Sequence, residues 1–199
     1  MKELAKKHNA KFEVKFFDTD VETCIDRDSL RENPVWQKVI YDMYNKYLAP
    51  EFKAIEWDTK LSTAVICDVD GTLAKCWDRD IYDGSKVYLD KLILPTAMMI
   101  NAIRQISGTK IIIVTGRDWK YLDVTKEWLD SYDIKYDEIY TRPEWDTRSD
   151  TIVKKEIYEN HIKGRYNVLC AFDDRFRLVN QRRDMGIYTF DCNQERSIF

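Results

Sequence analysis

The sequence predicts an α/β domain, Rossmann-like in layout, whose mostly parallel five-stranded sheet is covered by helices on both faces. Two observations support this fold class. From about residue 62, short apolar runs rich in β-branched residues alternate with segments of helical spacing. Polar side chains directly follow three of those runs, which is typical of parallel sheets because ligands bind beyond the carboxyl ends of their strands.

The elements of this domain follow one another in a regular order. Five strands are predicted in the segments STAVICDV, TKIIIVTG, DEIY, NVLCAFDD and IYTFDC. Four helices are predicted in LPTAMMINAIRQIS, KYLDVTKEWLDSY, DTIVKKEIYENHI and RFRLVNQRRDMG. Because a helix separates each pair of consecutive strands, the strands are expected to run parallel.

Residues 1–58 do not continue this alternation. We expect them to form a short, mostly helical extension, followed by the main domain at 59–199. KFEVKFFDT is predicted as one strand, VETCIDRDSL as a short helix, and NPVWQKVIYDMYNKYL as an amphipathic helix with Pro34 near its start. The following APEFKAIEWDTK is interpreted as a connector.

The composition is that of a globular protein. Of the 199 residues, 44% are hydrophobic and 34% charged, and no apolar run approaches the roughly 20 residues that span a bilayer. The charged start MKELAKKHNAK lacks the apolar core of a signal peptide, and five scattered cysteines without a CxxC pair argue against disulfides or zinc. We therefore expect a cytoplasmic protein without membrane contact, and the net charge of −3 limits any nucleic-acid contact to a local basic pocket.

The segment DVDGT places two carboxylates, Asp68 and Asp70, directly after the first strand. Side chains alternate along extended chain, so both are expected on the same side. Gly71 permits a sharp turn, and Thr72 offers hydroxyl and amide donors to an anion. Because two close carboxylates repel each other unless a cation relieves them, we predict a Mg²⁺ site that also receives a phosphate group.

Phosphoryl transfer gives these residues specific roles. Asp68 would attack phosphorus and form an aspartyl-phosphate, while Asp70 would protonate the leaving alkoxide and later activate water. Thr115 and Lys154 would hold the transferring phosphoryl oxygens, and Asp173 would orient Lys154 or the metal-bound waters. The predicted metal ligands are Asp68, Asp70, Asp173 and Asp174.

These motifs resemble the haloacid-dehalogenase (HAD) superfamily of phosphohydrolases. DVDGT, the Thr of IIIVTGRD, Lys154 and the acidic pair of AFDD occur in the order typical of that superfamily. Within it, DVDGTLAK, VTGRD, DTRSDTIVKKEIYENHI and AFDDRFRLVNQRRDMGIYTFDCNQ are most similar to the phosphatase domain of phage-type polynucleotide kinase/3′-phosphatases, over nearly all of residues 62–199. The resemblance implies a HAD fold with a minimal cap, and Mg²⁺-dependent removal of 3′-phosphates from DNA or RNA ends before ligation.

The resemblance also implies a role for each matched position. The catalytic residues would be Asp68, Asp70, Asp150 and Lys154. The residues that bind the phosphate or the substrate would be Thr72, Arg79, Thr115, Gly116 and Arg117.

Residues 1–58 resemble the end of the companion P-loop kinase domain. The six glycines are isolated and no GxxxxGK[ST] occurs, so we expect no kinase activity from this chain. The segment between Thr72 and Gly108 is too short for a full cap, which favours an open crevice and a polynucleotide end as substrate.

Several alternatives stay open at this level. The same chemistry could serve small nucleotides or sugar phosphates, and the chain could instead be a docking subunit for a separate kinase or ligase. The preference between DNA and RNA and the question of a homo-oligomer are equally open. Trp77, in the short flap, is a candidate for base stacking.

Overall fold

A computed structural model of the chain describes residues 2–15, 17, 19–106 and 108–193. Its contacts divide the chain into two compact units, Met1–Ala49 and Pro50–Phe199. Residues 50–58 belong to the second unit, where the backbone N–H of Asp58 donates to Asn167 Oδ1 at 2.9 Å. The predicted domain boundary after residue 58 stays a prediction. In the described ranges no helix is both long and apolar enough to cross a membrane.

The described residues of the first unit form the helices α1 (Lys2–Lys7), α2 (Val21–Ser29) and α3 (Trp36–Tyr47). Asp20 caps α2 by accepting a hydrogen bond from the backbone N–H of Thr23 at 2.8 Å. The buried Tyr41 of α3 donates its hydroxyl to Glu22 Oε1 of α2 at 2.5 Å, which joins the two helices. Helix α3 begins two residues after Pro34, so the proline precedes the helix.

The strand predicted at KFEVKFFDT is wrong where the structure describes it. Residues 11–15, 17 and 19 form no strand, while Phe16 and Asp18 lie outside the described residues. The alternation of apolar and charged residues has the right period, but a strand also needs a neighbour to satisfy its backbone groups. Among its described residues, this unit contains helices and irregular chain and offers no such neighbour.

The second unit is an α/β domain, which confirms the predicted fold class. Its elements in chain order are β1 (Ser62–Cys67), β2 (Ala74–Lys75), β3 (Lys91–Leu92), α4 (Leu94–Arg104), β4 (Lys110–Asp118), α5 (Leu122–Ser131), β5 (Glu138–Arg142), α6 (Asp150–Ile157), β6 (Tyr166–Asp173), α7 (Phe176–Asp184) and β7 (Thr189–Asp191). Five strands pair in the order β5-β4-β1-β6-β7, and every pair is parallel. The helix predicted from residue 94 to 107 ends at Arg104, and Ser107 lies outside the described residues.

The central strands are buried on both faces, as their continuous apolar runs predict. One face of β1 presents Val65 and Cys67 to a core that includes Trp128, and the other presents Ala64 and Ile66 to a core that includes Val153. Helices therefore cover both faces. The short antiparallel ribbon of β2 and β3 and a 3₁₀ turn at Gly84–Leu89 form the small insertion after β1, in agreement with the predicted minimal cap.

The chain order places the candidate residues along one edge. Strand β1 lies at the centre, and the chain adds β4 and β5 on one side of it before it adds β6 and β7 on the other. Such a switch point leaves a crevice at the carboxyl ends of the central strands. The pairing of β4 with β5 shifts between Val114 and Asp118, so a bulge turns residues 115–117 out of the regular ladder at that edge.

Asp137 fixes the opposite end of the β4–β5 pair. Its carboxylate accepts hydrogen bonds from the backbone N–H of Ile111 at 2.9 Å, from Arg104 at 2.6 Å and from Lys110 at 3.1 Å. Burial raises the pKa of Asp137, but these donors outweigh that effect and hold the pKa below its usual value. The carboxylate therefore stabilises the folded state at pH values above its ordinary pKa.

We expect Asp137→Asn to lower the free energy of unfolding by about 1–3 kcal/mol at pH 7, because the charged hydrogen bonds are lost. The difference should shrink as the pH falls from the ordinary carboxyl pKa through the depressed one, since wild-type Asp137 then becomes protonated. Urea unfolding of both proteins at pH 7 and at pH 3 measures this. A difference that is equal at the two pH values would contradict the ionic explanation.

Candidate active site

A buried row of charges lies at the carboxyl ends of β1 and β6. Lys154, in the last turn of α6, places its Nζ 2.7 Å from Asp68 Oδ1 and 3.2 Å from Asp173 Oδ2. All three side chains are at least 95% buried. Arg182 of α7 adds a second cation 3.0 Å from Asp173. Because buried charges must be paired, this row is held in one geometry.

Asp174 extends the row into an acidic cluster. One carboxylate oxygen from each of Asp68, Asp173 and Asp174 lies within 4.8 Å of the others. Burial raises the pKa of Asp68 to about 7 and that of Asp174 to about 6, so the carboxylates lack full compensation for their charge. Asp174 Oδ1 is also buried without a hydrogen-bond partner among the residues that the structure describes. Oxygen donors with excess negative charge fit a hard divalent cation such as Mg²⁺.

The turn after β1 accommodates this cluster only because residue 71 is glycine. Gly71 has φ +79°, and a Cβ at this position would lie 1.9 Å from Asp174 Oδ2. Both the backbone conformation and the close approach therefore require glycine. The DVDGT turn and the acidic pair after β6 fit together at this point.

Asp70 is not a member of the acidic cluster. Its carboxylate is 38% exposed and accepts hydrogen bonds from Arg117 Nη2 at 2.7 Å and Nε at 2.9 Å. Arg79 Nη2 lies 3.6 Å away. The role of Asp70 as a metal ligand beside Asp68 stays a prediction, and in the structure two arginines hold its carboxylate.

Asp90 connects these two arginines. Its buried carboxylate accepts hydrogen bonds from Arg79 Nε at 2.6 Å and Nη2 at 2.7 Å, and from Arg117 Nη2 at 3.0 Å. Paired hydrogen bonds of this kind fix the plane of a guanidinium group. Arg79 and Arg117 are thus rigid, with their side chains at most 5% exposed, and both reach Asp70.

A second polar group surrounds Asp150, the first residue of α6. Its carboxylate forms close ion pairs with Arg142 and Arg175. Arg142 also donates through Nε to the carbonyl oxygen of Gly116 at 3.1 Å. A Cβ at Gly116 would lie 2.8 Å from Asp150 Oδ1, so the bulge of β4 packs directly against this carboxylate.

The two candidate threonines are fully buried. Thr115 accepts a hydrogen bond at its Oγ1 from the backbone N–H of Arg117 at 3.2 Å, which shapes the bulge of β4. The Oγ1 of Thr72 has no hydrogen-bond partner in the described part of the chain. A buried hydroxyl without a partner is costly, and a bound anion would supply one.

The structure thus brings the predicted residues together in three groups. The first contains Asp68, Lys154, Asp173 and Asp174; the second contains Asp70, Arg79 and Arg117; the third contains Asp150 and Gly116. Trp77 is 48% exposed, and Lys91 lies over its ring at 3.2 Å from the centroid, so one face of this candidate for stacking is already covered.

Sequence reasoning missed four charged residues of these groups: Asp90, Arg142, Arg175 and Arg182. Arg142 ends β5 and Arg175 follows the acidic pair, so the rule that polar groups at strand ends form the site would have found both. Asp90 and Arg182 carry no such signal. Asp90 lies in the irregular insertion and Arg182 in the last turn of α7, and only the tertiary fold shows their partners.

Comparisons with known proteins identify the family to which the chain is similar. The family model for the phosphatase domain of the polynucleotide kinase PNKP matches residues 62–196. A putative bifunctional polynucleotide kinase/RNA ligase of Autographa californica nuclear polyhedrosis virus is 31% identical over 193 residues. That match covers 94% of this chain and 28% of the viral protein, so the chain spans little more than a quarter of its length.

Solved structures agree with the sequence comparisons. A chain from a structure of the Pnkp1/Rnl/Hen1 RNA repair complex is 30% identical, with a TM-score of 0.68 over 96% of this chain and 68% of that one. A second structure of the Pnkp1/Rnl/Hen1 complex gives 31% identity and the same TM-score, over 96% of this chain and 66% of that one.

Proposed function

The chain belongs to the family of polynucleotide kinase PNKP phosphatase domains and is a phosphatase, and on that premise we propose that it removes 3′-phosphates from DNA or RNA ends with Mg²⁺ as its cofactor. The observation that carries the chemical part of this proposal is the buried row of Asp68, Lys154 and Asp173 with Asp174 beside it. The family match supports the polynucleotide substrate.

The first chemical step uses Asp68 and Asp70. An oxygen of the Asp68 carboxylate attacks phosphorus while the bond from phosphorus to the 3′-oxygen breaks. The carboxyl group of Asp70 donates its proton to that oxygen, so that the nucleic acid leaves as a neutral 3′-hydroxyl. The product on the enzyme is an aspartyl-phosphate at Asp68, and Asp70 is then a carboxylate.

The second step releases phosphate. Asp70 accepts a proton from a water molecule whose oxygen attacks phosphorus, and the bond from phosphorus to Asp68 breaks. Inorganic phosphate departs, and both aspartates return to their starting forms. We propose that Arg117 and Arg79 keep the carboxyl group of Asp70 outside the acidic cluster. In that position the carboxyl group would face the leaving 3′-oxygen.

The remaining residues position the phosphate and its charge. We assign Lys154 to hold Asp68 and to neutralise charge on the transferring group, because its Nζ lies 2.7 Å from the attacking carboxylate. The unpartnered hydroxyl of Thr72 is proposed as a donor to a phosphate oxygen. Asp150, held by Arg142 and Arg175, would order the adjoining Gly116 bulge.

Mg²⁺ is proposed to bind at the acidic cluster through Asp68, Asp173 and Asp174, where it would shield negative charge during phosphoryl transfer. Asp70, predicted from sequence as a ligand, lies outside this group of oxygens. For Asp70 we therefore propose the acid and base role alone.

The cellular setting is also part of the proposal. The relatives' descriptions combine polynucleotide kinase with RNA ligase, or place the matching chain in an RNA repair complex. We propose that this chain heals nucleic-acid ends alongside kinase and ligase activities, and that residues 1–58 derive from a kinase domain. Five free cysteines support the proposed location in the reducing cytoplasm.

The purified protein is expected to release phosphate from a 3′-phosphorylated oligonucleotide in the presence of Mg²⁺. Activity should fall by about a thousandfold when EDTA replaces Mg²⁺, because several kcal/mol of charge stabilisation are lost. Phosphate release from three substrates measures this proposal: the 3′-phosphorylated oligonucleotide, the same oligonucleotide with a 5′-phosphate, and a 3′-mononucleotide.

The 5′-phosphorylated oligonucleotide serves as the matched control and is expected to be inert. Slow hydrolysis of the 3′-phosphorylated oligonucleotide beside fast hydrolysis of the mononucleotide would favour a phosphatase of small esters. Equal activity with Mg²⁺ and with EDTA would overturn the metal assignment.

A further inference from the structure

Trp145 lies in the loop between β5 and α6, and its side chain is 86% exposed. Resting on the proposed function, we propose that this indole is a stacking surface for an unpaired base near the 3′-phosphorylated end of the substrate. The inference adds a binding residue, and a substrate class with single-stranded ends, to the site described above.

The backbone at this position is costly for tryptophan. The N–H of Asp146 donates to the carbonyl oxygen of Pro143 at 3.2 Å, which closes a turn with Trp145 in its third position. Trp145 has φ +66°, a conformation that such turns normally give to glycine or asparagine. Trp36 in the first unit also combines a positive φ with high exposure, so the proposal for Trp145 depends on its strain together with its place beside the active site.

The loop that carries Trp145 is rigidly held. Arg142 donates through Nη1 to the carbonyl oxygens of Asp146 at 3.1 Å and Arg148 at 2.6 Å. Arg148 in turn pairs with Asp146 and with Glu156, each at 2.7 Å. The indole is therefore displayed on an ordered turn, which reduces the entropy lost when a ligand binds it.

The same arginine ties this loop to the active site. Arg142 also contacts Asp150 and the carbonyl oxygen of Gly116, two positions of the third group of site residues. On the adjoining strand, Asp118 is the register partner of Arg142, and the next residue, Trp119, is 58% exposed. Two exposed indoles thus follow neighbouring strands at the edge where the phosphate is proposed to bind.

An exposed indole is suited to stacking on a nucleic-acid base. Every base has a flat π face, and a large exposed aromatic ring binds it without reading its sequence. A single-stranded end can turn its last bases outward to meet such a ring, whereas the bases of a duplex are already stacked on one another. The insertion after β1 contains only the ribbon of β2 and β3 and the 3₁₀ turn at Gly84–Leu89.

The test compares wild type with Trp145→Ala and Trp145→Gly on two single-stranded, 3′-phosphorylated oligonucleotides. One has normal bases throughout, and the other is abasic at its last two nucleotides. For the normal substrate we expect both variants to raise KM by roughly tenfold, the loss typical for one stacked base. For the abasic substrate the change in KM should be less than about twofold, because no base is present to stack.

Trp145→Gly separates binding from folding, since glycine accepts φ +66° without strain. We expect its melting temperature to equal or exceed that of wild type, measured by circular dichroism, while its KM rises. Trp57 is 53% exposed and precedes β1, at the other end of the strand, so Trp57→Ala is the matched control and should keep the wild-type KM.

An unchanged KM in both Trp145 variants would overturn the inference and leave the proposed function standing. An equal rise in KM for the normal and abasic ends would also overturn it. If wild type hydrolyses no 3′-phosphorylated oligonucleotide, the proposed function fails first and the inference fails with it.

Discussion

Replacing Asp68 with Asn is expected to lower phosphatase turnover by about four orders of magnitude or more, because an amide cannot attack phosphorus. The shape of the side chain is kept, so the change tests the proposed nucleophile. Lys154 retains its second partner, Asp173, at 3.2 Å. The measurement is Mg²⁺-dependent phosphate release from a 3′-phosphorylated oligonucleotide at substrate saturation.

Loss of folding will not explain this result. Burial raises the pKa of Asp68 to about 7, which means that folding disfavours its charged form at higher pH. Removal of that charge should leave the melting temperature at pH 8 equal to or above that of wild type. Asp130→Asn, on an exposed position of α5, is the matched control and should keep full turnover. Turnover of Asp68→Asn within tenfold of wild type would show that another group attacks phosphorus.

Replacing Lys154 with Met is expected to damage both stability and activity. The substitution leaves Asp68 and Asp173 buried without the cation that lies between them. Removing one partner of a buried ion pair typically costs about 3–5 kcal/mol. Turnover should fall at least about a hundredfold, since the charge beside the transferring group is also lost. Urea unfolding and the oligonucleotide assay measure the two effects.

Lys155→Met is the matched control, because Lys155 is adjacent in sequence but exposed on the outer side of α6. It should change stability by less than about 0.5 kcal/mol. Adding Asp68→Asn to Lys154→Met should recover part of the lost stability, since one buried carboxylate then becomes neutral. Equal stability of the Lys154 and Lys155 variants would show that the buried row contributes nothing to folding.

The main domain was predictable because its strands are buried on both faces. The continuous apolar runs of β1, β4 and β6 require burial on both faces, which the centre of a parallel sheet provides. Each strand is found within a few residues of its predicted bounds. The strand predicted at residues 11–19 is wrong in its described part, because an alternating pattern indicates a surface but does not supply a neighbouring strand. A periodic pattern predicts an element only when the fold also supplies a neighbour.

The candidate site was predictable in part for a related reason. Topology alone brings the ends of β1, β4 and β6 to one edge of the sheet, so Asp68, Thr115 and Asp173 lie at that edge without detailed knowledge of packing. The ion pairs of Asp70 with Arg79 and Arg117 were not predictable. Asp90, which positions both arginines, lies in an irregular segment. Ion pairs between distant loops depend on side-chain geometry that no spacing rule describes.

The position of β1 between β4 and β6 has a consequence for the newly made chain. Asp68 is synthesised early. The residues that surround it in the folded domain, Lys154, Asp173 and Arg182, are synthesised only when most of the domain is complete. Pairings so distant along the chain form late, because a long loop must close first. An incomplete chain that ends before α6 therefore carries the DVDGT motif without the charged partners that surround Asp68 in the folded domain.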